Sequence, residues 1–534
     1  MFFRSALGVC LAFLLAVGAN AQAVGGGGGG VGTSVFPTIV DNVAALRTTN
    51  LTGKGNDITL TSYYTGGLTG GGPLQLVGSD TTSTDNGCTI FVDSAGNRWY
   101  RQIGPAGLGV DQCGAKGDGT TDDTTKVQAA INLACANPNT AAFPITIPPS
   151  FTLGITAALS FKGCYSLVFG GTTGVSSSTH TPQIKWIGTA GAGPMLSVNQ
   201  TDTGTFHHFV LSDHVATPVD VVIEDTETGS ITTTNTTNQF DDIYIAGPIT
   251  ADGNFVGIRI GQGDVVGNAD IGRFDKITIN CGGAAPTTNT SNGVGFRFVS
   301  SSAEPFVDRI TNYTIVGCSR GIDVEGQISV LVMDGGNNTV NYTDLYVTGG
   351  ENILFENLRS ENAIGPPVDI EGGNNVTLFN DTLAGVCATC TGIVDNIQGN
   401  GELIIDTVNV EGSSGFTFMT NAAGGSTQTT IRNSQFPTGG CPTFGGWAGT
   451  IVSTNNYPNS GSKCANTMSN TSFTVGSWIV AQLPSGTDVH TGEIALVTDA
   501  NASCSAGTVP TGGGTHKCFV GYGGTSWTEN GSGN

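Results

Sequence analysis

The chain has 534 residues, 82 of them Gly, and sets 19 Lys and Arg against 41 Asp and Glu for a formal net charge of −22. So acidic a chain lacks the basic surface that nucleic acid or an anionic membrane demands, and neither is an expected partner. Scarce Lys, Arg and Glu beside abundant Thr, Asn, Ser and Val disfavour helices and suit many short strands, and apolar residues at 38% in short blocks argue against disorder.

Arg4, the apolar run Ala6 to Val17 and the small residues Ala19-Asn20-Ala21 read as a signal peptide over residues 1–21, with the mature chain starting at Gln22. The run is too short to span a bilayer, so the expectation is a secreted protein, extracellular or at the cell surface, without membrane insertion. Residues 22–35, with Gly25 to Gly30 unbroken, form a flexible linker. A small β region follows over 36–107. Its clearest piece is the hairpin Cys88 to Tyr100, which turns at Asp93 to Asn97 where Gly96 and Asn97 tolerate positive φ. Gly114 to Asp123 then forms a Gly/Asp turn, with Thr121 or Asp122 as the cap of a helix whose apolar face is Val127, Ala130, Ile131 and Ala134. This is nearly the only convincing helix, placed where a stack of strands needs its open end covered.

Residues 108–465 carry loose repeats. One set of blocks comprises Gly257 to Ile260, Gly295 to Phe298, Gly321 to Val324, Pro367 to Ile370 and Gly415 to Phe418. A second comprises Phe240 to Ile243, Phe274 to Ile277 and Val307 to Ile310. A third, Asn352 to Phe355, Asn375 to Leu378, Glu402 to Ile405 and Gln428 to Ile431, recurs every 23 to 27 residues. Such repeats bury their apolar faces only by stacking, which gives a parallel β-helix, an all-β solenoid with an N-terminal capping helix. Residues 466–534 read as a small C-terminal β domain. Cys10 aside, twelve cysteines fall in sequence-near pairs expected to be bonded: Cys88/Cys113, Cys135/Cys164, Cys281/Cys318, Cys387/Cys390, Cys441/Cys464 and Cys504/Cys518.

The run Gly114-Ala-Lys-Gly-Asp-Gly-Thr-Thr-Asp-Asp123 followed by Val127-Gln-Ala-Ala-Ile131 closely resembles the opening of the pectate-lyase-superfamily right-handed parallel β-helices, a group of hydrolases, lyases, epimerase-like proteins and phage tailspikes. The hairpin Cys88 to Tyr100 resembles segments that precede tailspike-like β-helices. The resemblance implies a polysaccharide-acting protein, either a glycoside hydrolase or a polysaccharide lyase. The alternative is a non-catalytic glycan-binding adhesin or tailspike-like rod, with a homotrimer as its expected assembly. The Asn-Thr-Asp-Gly, Gly-His-Gly and Arg-Ile-Lys runs of the polygalacturonase-like hydrolases are missing, so no catalytic residue is carried over.

The residues themselves point to a column on the first set of blocks. Period-2 alternation turns Arg259, Arg297, Asp323, Asp369 and Thr417 outward, with Glu325 and Glu371 two positions beyond each Asp. Asp323, Asp369, Glu325 and Glu371 are the candidate catalytic carboxylates, and Arg259 and Arg297 the candidate substrate-binding cations. No cofactor or metal is expected, apart from Ca²⁺ should the chemistry be that of a lyase. Asp118, Asp122 and Asp123 are read as structural. Asp241, Asp275 and Asp308 read as an aligned set of turn caps, and His207, His208 and His214 as a surface loop rather than a zinc site.

Overall fold

The computed structural model describes residues 37–136, 143–172, 174–175, 181–189, 194–199, 201, 203–213, 221–225, 235–236, 238–248, 250, 252–261, 269–300, 306–326, 328–386, 391–395, 401–412, 417–420, 428–436, 450–458, 467–469, 477–478, 481, 483, 494–501, 505–522 and 525–529. The expected signal peptide and Gly-rich linker lie outside these residues, as do Cys387, Cys390, Cys441, Cys464, Cys504 and His214.

The N-terminal module is a five-stranded sheet in the order Thr38–Val40, Asp57–Ser62, Gly70–Leu76, Arg98–Arg101, Ile90–Val92. Its hairpin turns at Asp93, whose carboxylate accepts the backbone N–H groups of Ala95, Asn97 and Leu51 and the indole N–H of Trp99. Gly96 takes φ 84°, whereas Asn97 does not need positive φ. A short helix that the sequence pattern did not suggest, α1 (Val43–Thr48), is capped by Asn42. Asp111 accepts from the Gly70 N–H at 2.8 Å and the Tyr64 hydroxyl donates to Gly114, which tie this module to the body.

The body is a right-handed parallel β-helix. Ten parallel strands form one face, from Leu159–Lys162 to Thr417–Thr420. The second and third faces are joined through strands that bend at the corner between them, such as Gln239–Ala246. Stacked turns repeat the same side chain in the same place. On the second face one buried column runs Phe169, Phe206, Phe240, Phe274, Ile310, Met333, Phe355, Leu378, Ile405, Ile431. The rings of Phe206, Phe240 and Phe274 stack at 4.9 and 4.6 Å. The second and third sets of sequence blocks are thus one face. The alignment of Val307 to Ile310 with Phe274 to Ile277 is off by three, because Ile310 pairs with Phe274 and Asp275 with Thr311. Asp308 therefore does not continue the Asp241–Asp275 column, which Thr311 occupies instead.

The corner between the second and third faces is a left-handed backbone position in ten successive turns: His208, Asp242, Lys276, Asn312, Gly335, Asn357, Asn380, Thr407, Asn433 and Asn455 all have positive φ. Asn is favoured there because its short amide tolerates that region and bonds locally. Asn357 donates to Asp334 at 2.7 Å, Asn433 to Asp406 at 3.0 Å and Asn312 to Asp275 at 2.8 Å, so each corner is pinned to the turn before it. Other corners use a buried side chain that accepts a backbone N–H from the preceding turn. Asn341 takes that of Cys318, Asp381 that of Leu358 and Asn456 that of Ser434.

The capping helix α2 (Thr124–Ala134) buries Val127, Ala130, Ile131 and Ala134 over the first turn, as its spacing implies. Its N-cap is Asp123, one residue later than expected. That carboxylate is turned back to accept the N–H groups of Lys116 and Gly117, while Asp122 accepts the Thr124 N–H. Asp118 accepts from Thr120 and Thr121. All three acids of the motif are held by local donors, which is a structural use. Gly117 is required twice over: its φ is +63° and a Cβ there would stand 2.1 Å from the Phe151 ring. Cys88–Cys113, Cys135–Cys164 and Cys281–Cys318 are bonded as expected, and Cys518 is also bonded.

At the C-terminal end Thr467–Ser469 lies antiparallel on Thr450–Thr454, the last long rung of the second face. A four-stranded sheet follows: Ser477–Trp478, Ile494–Ala500, His516–Tyr522, Trp527–Glu529.

Buried carboxyls give the fold a pH signature. Asp344, fully buried between Asn341 and Ser360, has its carboxyl raised to about 6 by burial, and Asp323 and Asp369 are raised to about 6 for the same reason. Such groups contribute stability that is complete below the unfolded value near 3.8 and lost as pH rises through 6; for Asp344 the full change is about 3 kcal/mol. Asp275, Asp334 and Asp406, lowered by hydrogen bonds and cations against the opposing effect of burial, act oppositely, and their contribution is lost as pH falls below about 4. The raised acids lose their contribution across about pH 4 to 6, so the expected Tm maximum lies near pH 4. Asp344→Asn should flatten the fall between about pH 4 and 6, and a Tm that climbs steadily across that interval would contradict this assignment.

Candidate active site on the outer column

Parallel register puts outward residues of successive turns directly above one another, roughly 4.8 Å apart. The column on the ten-stranded face reads Arg259, Arg297, Asp323, Tyr346, Asp369, Val394. Inward neighbours Ile258, Phe296, Ile322, Leu345, Val368 and Ile393 fill the core. The four charged residues expected to share a column do so. Thr417 does not: it pairs with Thr391, and Thr420 follows Val394. Its block Gly415 to Phe418 is three residues out of step with the true rung.

Tyr346, between the two aspartates, escaped the sequence pattern because Leu345-Tyr346-Val347 hides its outward residue behind an aromatic ring. Arg320, at the start of strand Arg320–Gly326, escaped because it precedes the alternating block. It organises the cluster. Its guanidinium carbon lies 3.8 Å from the centroid of the Tyr346 ring, and Nη1 is 2.8 Å from Asp323 Oδ2 and 3.8 Å from Glu325 Oε1. Arg297 donates through Nη2 to both oxygens of Glu325, at 3.1 and 3.0 Å. Arg259 stands one turn further along, beside Arg297.

Exposure separates the acids. Alternation points Asp323 outward, but it is 0% exposed under Arg320, so the solvated groove expected at this point is filled by side chains. Burial raises its carboxyl to about 6 against the opposing pull of Arg320. Glu325 keeps 27% of its side chain exposed, and Glu371 is exposed. Asp369 is half-buried and is raised to about 6 by burial, then by the charge of Glu371 and a hydrogen bond with it. Asp369 is thus a carboxyl hydrogen-bonded to an exposed acid and within the field of Arg320. The Cα positions of the Asp323 and Asp369 rungs, two strands apart, are roughly 9.5 Å from one another.

Three comparisons bear on this architecture. Residues 39–104 match the family described as the phage tail protein small four-stranded beta-sheet domain. No curated protein is similar in sequence at a significant level. Among solved structures, the tailspike protein of Acinetobacter phage vB_ApiP_P1 is similar over 93% of this chain and 91% of its own, with 13% identity and a TM-score of 0.55. Tailspike protein 2 of the Escherichia coli O157:H7 bacteriophage CAB120 is similar over 93% of this chain and 71% of its own, with 13% identity and a TM-score of 0.50. Tailspike gp49 of Acinetobacter baumannii bacteriophage Fri1, a capsular polysaccharide depolymerase, is similar over 92% and 91%, with 13% identity and a TM-score of 0.50. At this identity the likeness shows a shared fold: a tailspike-type parallel β-helix behind a small β module.

The burial of Asp323 predicts that Asp323→Ala is not thermally silent. It strips Arg320, itself only 17% exposed, of its closest carboxylate and should cost about 1–3 kcal/mol. Glu371→Gln, at an exposed position, should stay within about 0.5 kcal/mol. Urea midpoints measure both, and equal midpoints for the two variants would show that Asp323 is solvated after all.

Proposed function

We propose that this protein is a polysaccharide-acting β-helix of the tailspike type, within the pectate-lyase superfamily, that cleaves a bacterial surface glycan by hydrolysis on its ten-stranded face. The observation that carries the reading is the Asp369–Glu371 pair beside Arg320 and Tyr346. A carboxyl held near 6 and hydrogen-bonded to an exposed neighbour suits a general acid for the leaving sugar oxygen. Glu325, two rungs from Asp369 and held by Arg297 of the adjacent strand, is the carboxylate placed to activate water. The two acids stand on strands two rungs apart, an arrangement that leaves room for the intervening water that inverting hydrolysis requires. Tyr346 offers the ring, and Arg259 and Arg297 the donors, that hold the chain. Asp323 is then a positioning residue that fixes Arg320 over Tyr346. A lyase needs an unbalanced positive charge for the uronate, and the charges of Arg297 and Arg320 are balanced by Glu325 and Asp323, which favours hydrolysis while leaving the other Arg297 N–H groups to donate.

Secretion through the N-terminal signal and assembly as a homotrimer belong to the same proposal. The match of residues 39–104 to a phage tail domain supports a second reading, a non-catalytic spike that binds glycan.

The test is a panel of capsular and other bacterial polysaccharides assayed for new reducing ends and for unsaturated sugar. New reducing ends without unsaturation are expected from at least one glycan. Asp369→Asn and Glu371→Gln should each lower turnover by about 10²-fold or more at unchanged Tm. Activity should fall as pH rises past about 6, where Asp369 loses its proton. Binding without any cleavage would leave the spike reading; full activity in both variants would remove the site from this face.

A further inference from the structure

A second polar surface lies on the second face, several turns nearer the N-terminal end. A cleft of roughly 390 Å³ is lined by Thr205, His207, Gln239, Asp241, Arg273 and Lys276, among others. Register explains its layout. Thr205, Gln239 and Arg273 are stacked in one column and His207, Asp241 and Asp275 in the next, two residues along the same strands. The result is a grid of donors and acceptors spaced roughly 4.8 by 6.7 Å.

The corner ladder changes character at this place. In later turns the left-handed position is Asn at 312, 357, 380, 433 and 455, with Gly335 and Thr407 between them, whereas beside the cleft it is His208, Asp242 and Lys276. Lys is ill suited to positive φ, and departures of this kind gather at functional surfaces. Here the exchange places Lys276 Nζ 3.6 Å from Asp241 and 3.8 Å from Asp275, across the two rungs. His207 and His208 join through their Nδ1 atoms at 2.8 Å, and His208 Nε2 lies 3.7 Å from Asp242. Asp242 also accepts the Val175 N–H at 2.8 Å, which binds the strand to the segment above it. Gly170 precedes His207 in its column, and a Cβ there would come within 1.8 Å of the His207 carbonyl oxygen. Burial, followed by the neighbouring His208, lowers the affinity of His207 for a proton, so its ring stays neutral at pH 7 and can both donate and accept.

We infer that this cleft is a glycan subsite separate from the catalytic face, which takes one neutral pyranose unit. Asp241 accepts from a pair of hydroxyls, Gln239 and Arg273 donate to ring substituents, and His207 closes the inner end. Two carboxylates against two cations leave no net field to select an anionic sugar. The inference rests on the glycan-acting reading for the kind of ligand, but its residues are not those of the Asp369–Glu371 site.

The experiment titrates methyl β-glucoside, methyl β-galactoside and methyl β-glucuronide, at millimolar concentration, into the full chain while the His207 ring signals are followed by NMR. At least one neutral glycoside should shift those signals and the glucuronide should bind no better. Asp241→Asn and Arg273→Ala should each weaken that binding tenfold or more, and Asp369→Asn should leave it unchanged. If none of the three sugars moves the His207 signals, or if Asp241→Asn and Arg273→Ala bind as the parent does, the subsite does not exist. If binding is lost in Asp369→Asn instead, the sugar occupies the catalytic face; the inference fails while the proposed function stands. A preference for the glucuronide overturns the neutral-sugar assignment.

Discussion

In-register stacking of parallel strands is the constraint from which the rest of this structure follows. Each turn must present an apolar residue wherever its neighbour does, because one slip exchanges core for surface along the whole strand. The phenylalanine and aliphatic column from Phe169 to Ile431 is the inward consequence. The outward consequence is functional: any residue placed outward is automatically stacked on its equivalents above and below. A column of charge therefore costs no special loop. Arg259, Arg297, Asp323, Tyr346 and Asp369 are neighbours by backbone register alone.

Stacking also sets the electrostatics. Acids and bases held on adjacent rungs must pair or lose their charge, and the ten-stranded face does both. Arg320 and Arg297 hold Asp323 and Glu325, while burial and the neighbouring Glu371 push the Asp369 carboxyl up against the pull of Arg320. Within the turns the same economy appears in Asp344 and Asp381, buried acids that burial pushes up and that take hydrogen bonds from their neighbours. The outward side chains are thereby positioned by the rungs beneath them rather than by loops.

Much of this was legible in the sequence, and the reason is periodicity. Blocks such as Gly321-Ile-Asp-Val324 and Val368-Asp-Ile370 declare one outward residue between two buried ones, so Asp323 and Asp369 could be placed on one column. The helix α2 and the three disulfides were legible from local spacing. What failed was registration between unequal turns: Asp308 and Thr417 were each assigned three residues out of step, because a block fixes parity but not its partner. Arg320 and Tyr346 were hidden by a position before the block and by an aromatic at an outward site. The burial of Asp323 was not legible either, since alternation says which way a side chain points and not what covers it. The corner ladder went unread because its Asn, His, Asp and Lys residues share a backbone conformation rather than a side-chain type.

The account depends most on Tyr346 standing directly between the Asp323 and Asp369 rungs. In-register Cα positions on adjacent parallel strands are close enough for a disulfide, and positions three strands apart, roughly 14 Å, are not. The direct measurement is oxidation of two double variants, Tyr346→Cys with Asp369→Cys and Arg297→Cys with Asp369→Cys, followed by peptide mass mapping. The register described here predicts a crosslink in the first and none in the second. A second variant that closes while the first stays open would contradict it.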